Sequence, residues 1–214
     1  MDELRRGFHD RLALLHEEVA SLATLAATSV EHASAALLGG DTDAASRVLI
    51  ARESGRAASV EQEVIDLLAL QAPLARDLRL LMASLRIAHE LDLSLGLAAN
   101  IASRAGRLDP AVLTPRLRSL LYEMGGESAD LLRRAGSAYR VLDEGLAMSV
   151  IESDGRVRDH HREFLKELFA LRSASVEAAV ELGIVARCYE RLTDHAVEIA
   201  ERVRFVAVLP SVGG

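Results

Sequence analysis

Tryptophan is absent from this chain of 214 residues, and aromatic residues of every kind make up only 3% of it. A core without large flat rings must be built from Leu, Val, Ile and Ala, side chains that suit closely packed helices. There is a single cysteine, Cys188, so no intramolecular disulfide can form. That fits a reducing compartment and a small packed thiol. Proline occurs only four times and never between Pro115 and Pro210, so elements there can run long with their hydrogen-bond ladders intact. No uninterrupted apolar run reaches the roughly 18 residues that suggest a membrane span. The opening Met1-Asp2-Glu3-Leu4-Arg5-Arg6 leads into a charged amphipathic pattern with no apolar signal core, and the expected location is cytoplasmic. A basic excess is missing as well. With 25 basic and 32 acidic residues the net charge is −7, which argues against nucleic acid or anionic lipid as a partner.

What is present is helical periodicity. Phe8, Leu12, Leu15, Val19 and Leu22 fall at helical spacing in a first helix over 3–38. Gly39-Gly40 ends it, and Asp41 or Thr42 offers a side-chain oxygen to cap the next. The second helix is expected to run to about Leu70, the chain turning at Gln71-Ala72-Pro73, and a third to run from Leu74 to about Gly106. After the interruption at Leu108-Asp109-Pro110 and Thr114-Pro115, Pro115 is placed to open a fourth helix over 115–142. A fifth and a sixth follow over 144–171 and 173–208. No segment alternates like a strand. The expected fold is all-α: six long antiparallel helices in a tandem pair of three-helix bundles, 1–107 and 113–214.

The last helix carries an unbroken apolar seam, Ala178, Leu182, Val185, Tyr189, Leu192, Ala196, Ile199 and Val203, at steps of four and three. Off that seam, Glu190, Asp194 and Glu198 stand on one helical face. Like charges at this spacing cost roughly 0.2–0.5 kcal/mol per pair, so something must offset them. The segment also has a worn copy upstream. Ala88, Ala98, Ile101, Ala102 and Arg104 align with Ala186, Ala196, Ile199, Ala200 and Arg202. Asp92 takes the place of Glu190, and Gly96 the place of Asp194. The two halves are therefore read as a duplication.

Two stretches carry a family resemblance. Residues 67–79, from Leu67 through Gln71-Ala72-Pro73 to Arg79, look like an "LLALQQPVAxDLR" turn between second and third helices. Residues 190–200, from Glu190 through Asp194-His195-Ala196 to Ala200, look like an "ERIGDHAVNIAE" signature. On these motifs and the six-helix order the chain resembles the PhoU family of phosphate-transport regulators, of the short actinobacterial type. The resemblance implies a cytoplasmic adaptor between the ATPase subunit of a phosphate ABC transporter and a phosphate-sensing histidine kinase. Such an adaptor restrains uptake and holds the kinase off when phosphate is ample. It implies attachment to the membrane only through partners and leaves a homodimer open. It also implies multinuclear iron or zinc, which some members hold on Glu/Asp-x-x-x-Asp motifs of the second and third helix of each half.

Carried over residue by residue, only Glu190 with Asp194 forms a whole acid pair. On the fifth helix Asp154 matches the first motif position, but Arg158 occupies the second. Asp159 is adjacent, yet it projects about 100° away around the helix. In the first half the third-helix pair has decayed to Asp92 and Gly96, and Glu53 is the only acid within Arg52-Glu53-Ser54-Gly55-Arg56. No metal cluster is expected there. In the second half two readings stand. One is a weak divalent, iron or zinc ion on Glu190, Asp194 and Asp154; the other is a salt-bridged face in which Arg187, Arg191 and Arg202 serve as partners. No cofactor is required by either.

His160-His161 project about 100° apart and are poorly placed to share an ion. His195 is read as bonding a neighbour across the bundle. A di-metal oxidase needs Glu-x-x-His pairs, and none of the seven histidines has an acid three residues before it. A phosphate loop and a G-x-S-x-G elbow are also missing. The chain is therefore expected not to be an enzyme, and the alternative to the regulator is a bare structural or dimerisation bundle.

Overall fold

The computed structural model describes residues 2–70, 73, 75–105, 107–108, 112–153, 155–171 and 175–208. Gln71 and Ala72 of the expected turn, Asp109-Pro110 and the candidate ligand Asp154 lie outside the described residues. Every element among the described residues is a helix: α1 (Asp2–Gly39), α2 (Thr42–Arg52), α3 (Arg56–Leu70), α4 (Ala75–Ala102), α5 (Pro115–Val141), α6 (Glu144–Ile151), α7 (Gly155–Ala170) and α8 (Val176–Ala207).

The helix starts follow local chemistry. Asp41 accepts from the Ala44 amide at 2.8 Å, Thr114 from Leu117 at 3.2 Å, Asp143 from Leu146 at 2.9 Å and Ser175 from Ala178 at 3.1 Å. Each satisfies one of the orphan donors of a first turn. Pro115 opens α5 as its spacing predicts. Gly40 ends α1 in the left-handed region at φ 69°.

The second helix of each half differs from the sequence expectation. Each is one rod broken in two, between α2 and α3 and between α6 and α7. At the first break Gly55 turns left-handed, φ 68°, a conformation that no side chain's periodicity announces. At the second, Ser153 donates to the Ser149 carbonyl at 2.6 Å, and the Arg134 guanidinium donates to the same carbonyl at 2.8 Å. Groups released from the ladder are thereby re-satisfied.

The four long helices α1, α4, α8 and α5 pack in a ring, with α2/α3 outside α1 and α4 and α6/α7 outside α5 and α8. Two of the ring contacts, α1 on α5 and α4 on α8, join the halves, so one hydrophobic cluster runs through the whole molecule. α1 and α5 run antiparallel and approach closely. A Cβ on Gly136 would lie 2.5 Å from that of Ala23, and one on Gly125 would strike Ser34. Two buried phenols tie the diagonals of the ring. Tyr189 donates to Ser34 at 2.8 Å and Tyr139 to Ser84 at 2.6 Å, each serine hydroxyl donating onward to the carbonyl four residues earlier. Burial pushes both phenol pKa values up, which keeps them as donors.

Candidate functional site: the acid faces of α4 and α8

From Leu182 to Val203 the expected seam of α8 is buried, which turns Glu190 and Asp194 toward α7 and leaves Glu198 beside Arg202 on the side of Glu90. The structure supplies each acid with its own cation. Glu190 accepts from Arg187 on its own helix and lies 3.2 Å from His161 Nδ1 on α7. Asp194 faces Arg158, in the first turns of α7, at 3.6 Å. Glu198 accepts from Arg202 at 3.1 Å. Two of the sequence-expected partners, Arg187 and Arg202, are in place. The third acid pairs across helices, with Arg158, and not with Arg191. Beside Glu190, the Arg187 guanidinium is pushed further above its ordinary pKa, chiefly by the hydrogen bond and then by the carboxylate's charge.

In the first half Arg52, the last residue of α2, reaches Asp92 at 2.5 Å. Its Nε lies 3.6 Å from where a Cβ on Gly96 would stand. The guanidinium therefore lies over both positions of the decayed acid pair. Beside it a groove of about 400 Å³ between α3 and α4 is lined by Ala57, Glu61, Met82, Arg86, His89 and Asp92, among others.

The adjacent histidines divide between neighbours. His160 lies between two acids of α5, Nε2 3.2 Å from Glu123 and Nδ1 3.3 Å from Glu127, while His161 turns to α8. Glu123 and Glu127 were not singled out in the sequence; their spacing of four on α5 was the available signal. Asp159 pairs with Arg162 at 3.1 Å, and Glu163 is held by Arg116, whose hydrogen bond draws its pKa down. His195 is buried at the α4–α8 contact. Ser94 Oγ donates to the Glu90 carbonyl at 2.8 Å, so at 3.0 Å it accepts from His195 Nδ1. Burial first, then Arg191 and His89, lower the imidazole to about 4. Burial raises Glu90, whose carboxyl stands 4.0 Å from Nε2. Cys188 is buried, its thiol pushed up by desolvation. Arg79, at the end of the 67–79 motif, stacks on Phe205 at 5.0 Å.

Guanidinium has no lone pair to give a metal. With Arg158 at a ligand position, Arg52 on Asp92, and Arg187 and His161 on Glu190, these residues do not fit a multinuclear cluster. Among the described residues no group of three His, Cys, Asp or Glu is arranged to hold a metal ion. No helix of the described residues is long and apolar enough to cross a membrane.

A model of the PhoU domain matches residues 19–105 and again 121–203. The phosphate-specific transport system accessory protein PhoU homolog 1 of Mycobacterium leprae is 33% identical over 208 residues, covering 95% of this chain and 94% of its own. Homolog 2 of Mycobacterium tuberculosis is also 33% identical over 208 residues, covering 95% and 98%. The crystal structure of PhoU from Pseudomonas aeruginosa superposes with a TM-score of 0.87 at 24% identity, over 93% of this chain and 98% of that one, a likeness of fold.

Proposed function

The chain belongs to the PhoU family, and on that premise we propose that it is an accessory protein of phosphate-specific transport. In this reading it is a cytoplasmic adaptor without chemistry of its own. It contacts the ATPase subunit of the phosphate ABC transporter and the phosphate-sensing histidine kinase, restrains uptake, and holds the starvation response off when phosphate is ample. Its attachment to the membrane is through those partners. The observation that carries the reading is full-length similarity, 33% identity over 208 residues, to proteins named as accessories of that system.

The physical character of the surface supports it. Glu190, Asp194, Glu198 and Asp92 are paired with guanidinium or imidazole, and the long helices are tied through one continuous core. A helical bundle with a mosaic of paired charges presents broad helix faces to partners and needs no deep pocket. Capture with the tagged full chain from membranes of phosphate-replete cells tests it. Recovery of the ATPase subunit and the kinase is expected. Recovery of neither, with the transporter expressed, would return the chain to a bare structural bundle.

A further inference from the structure

We propose that in each half an arginine of the broken second helix takes the place of a metal ion, bracing that helix on the acid face of the third. The inference does not depend on the phosphate-transport reading. Its basis is the same device built twice from different residues. Arg52, just before the first break, binds Asp92 on α4 at 2.5 Å; Arg158, just after the second, faces Asp194 on α8 at 3.6 Å. A break in a helix loosens the grip of its two pieces on their neighbour, and a charge placed beside the break restores it. A divalent ion would do this by bridging carboxylates offered by both helices. Here the second helix offers a permanent cation instead, so the bridge closes without a third party.

The local charge agrees. In the first half one acid meets one guanidinium, since Gly96 offers no carboxylate. In the second, Glu190 and Asp194 meet Arg187 and Arg158, with His161 beside them. Among the described residues the two carboxylates and the two guanidinium groups balance, so an entering dication would have to displace arginines already in contact with them.

The test is metal content and metal affinity of the full chain, purified without chelator, for wild type, Arg158→Asp and Arg158→Lys. Wild type is expected to hold iron, zinc and manganese far below stoichiometry and to melt at the same temperature with or without EDTA. Arg158→Asp, which adds a carboxylate where a cation stood, is expected to bind Zn²⁺ at least about tenfold more tightly than wild type and to melt higher with it. Arg158→Lys keeps the charge and should behave as wild type. Stoichiometric metal in wild type whose removal lowers the melting temperature would overturn the proposal. So would a folded Arg158→Asp protein with wild-type zinc affinity. If Arg158→Asp does not fold even with zinc, the wild-type metal content and EDTA melt decide alone.

Discussion

The two halves share a backbone plan and have parted company on their polar faces. In the first, the outer helix α3 is tied to α1 by arginine pairs, Arg11 with Glu63 at 2.8 Å and Arg56 with Glu18 at 2.7 Å. In the second, α7 is tied to α5 by Arg116 on Glu163 and by His160 between Glu123 and Glu127, and to α8 by His161 and Arg158. The seams correspond: Ile101, Ala98 and Ala102 are as buried as Ile199, Ala196 and Ala200. Core positions are fixed by packing that tolerates little change in volume, whereas a partly exposed ion pair contributes little and can be rebuilt from other residues. Duplication thus preserved the apolar seam and left the charges free to diverge.

That contrast is sharpest when the corresponding isoleucines are truncated. Ile101→Ala and Ile199→Ala should each cost about 2–5 kcal/mol, the range for a fully buried aliphatic side chain. Chemical denaturation should find the two losses alike, within about 1 kcal/mol, the usual context scatter. A severe loss in one half and a trivial one in the other would break the correspondence of the seams.

Acidity should separate the halves. His195 occupies the place that Leu97 holds in the first half. Its pKa in the fold is about 4 against an ordinary 6.5, so the unfolded chain binds the proton first. The stability it contributes is present above pH 6.5 and drains as pH falls toward 4. The loss is about 2–3 kcal/mol, reduced in part by Glu90, which burial raises and which titrates with the opposite sign. Melts across this window should fall less steeply for His195→Gln than for wild type. Equal slopes would place the proton elsewhere.

The smallest effects belong to the bracing arginines. Both pairs are partly exposed, so Arg52→Ala and Arg158→Ala should each cost only about 0–1 kcal/mol of global stability. Hydrogen exchange should nonetheless quicken near the matching break, around 53–55 in one variant and 151–153 in the other. Uniform exchange in both would detach the arginines from the breaks.

The helix content, a cap at Asp41 or Thr42, the opening of α5 at Pro115 and the buried seam of α8 were legible in the sequence, because each depends on residues close together in the chain. The breaks were not. Across Glu53-Ser54-Gly55 the buried positions slip about half a turn, from Ala51 to Val60 nine residues on, a shift that a short window of small residues conceals, and Gly55 bends left-handed between them. The partner of Asp194 was hidden for a related reason. Spacing along α8 offers Arg191, whereas the guanidinium at hand comes from α7, a neighbour that only the packed bundle brings alongside. The junction of the halves was equally silent, since a small residue such as Gly136 shows its purpose only against the Ala23 it meets.

The most direct measurement is a phosphatase reporter of the starvation response, read with phosphate uptake in cells lacking the gene and grown in ample phosphate. The reporter should rise and uptake escape restraint, and the wild-type chain supplied in trans should reverse both. Reporter and uptake unchanged by the deletion would contradict a role in phosphate regulation.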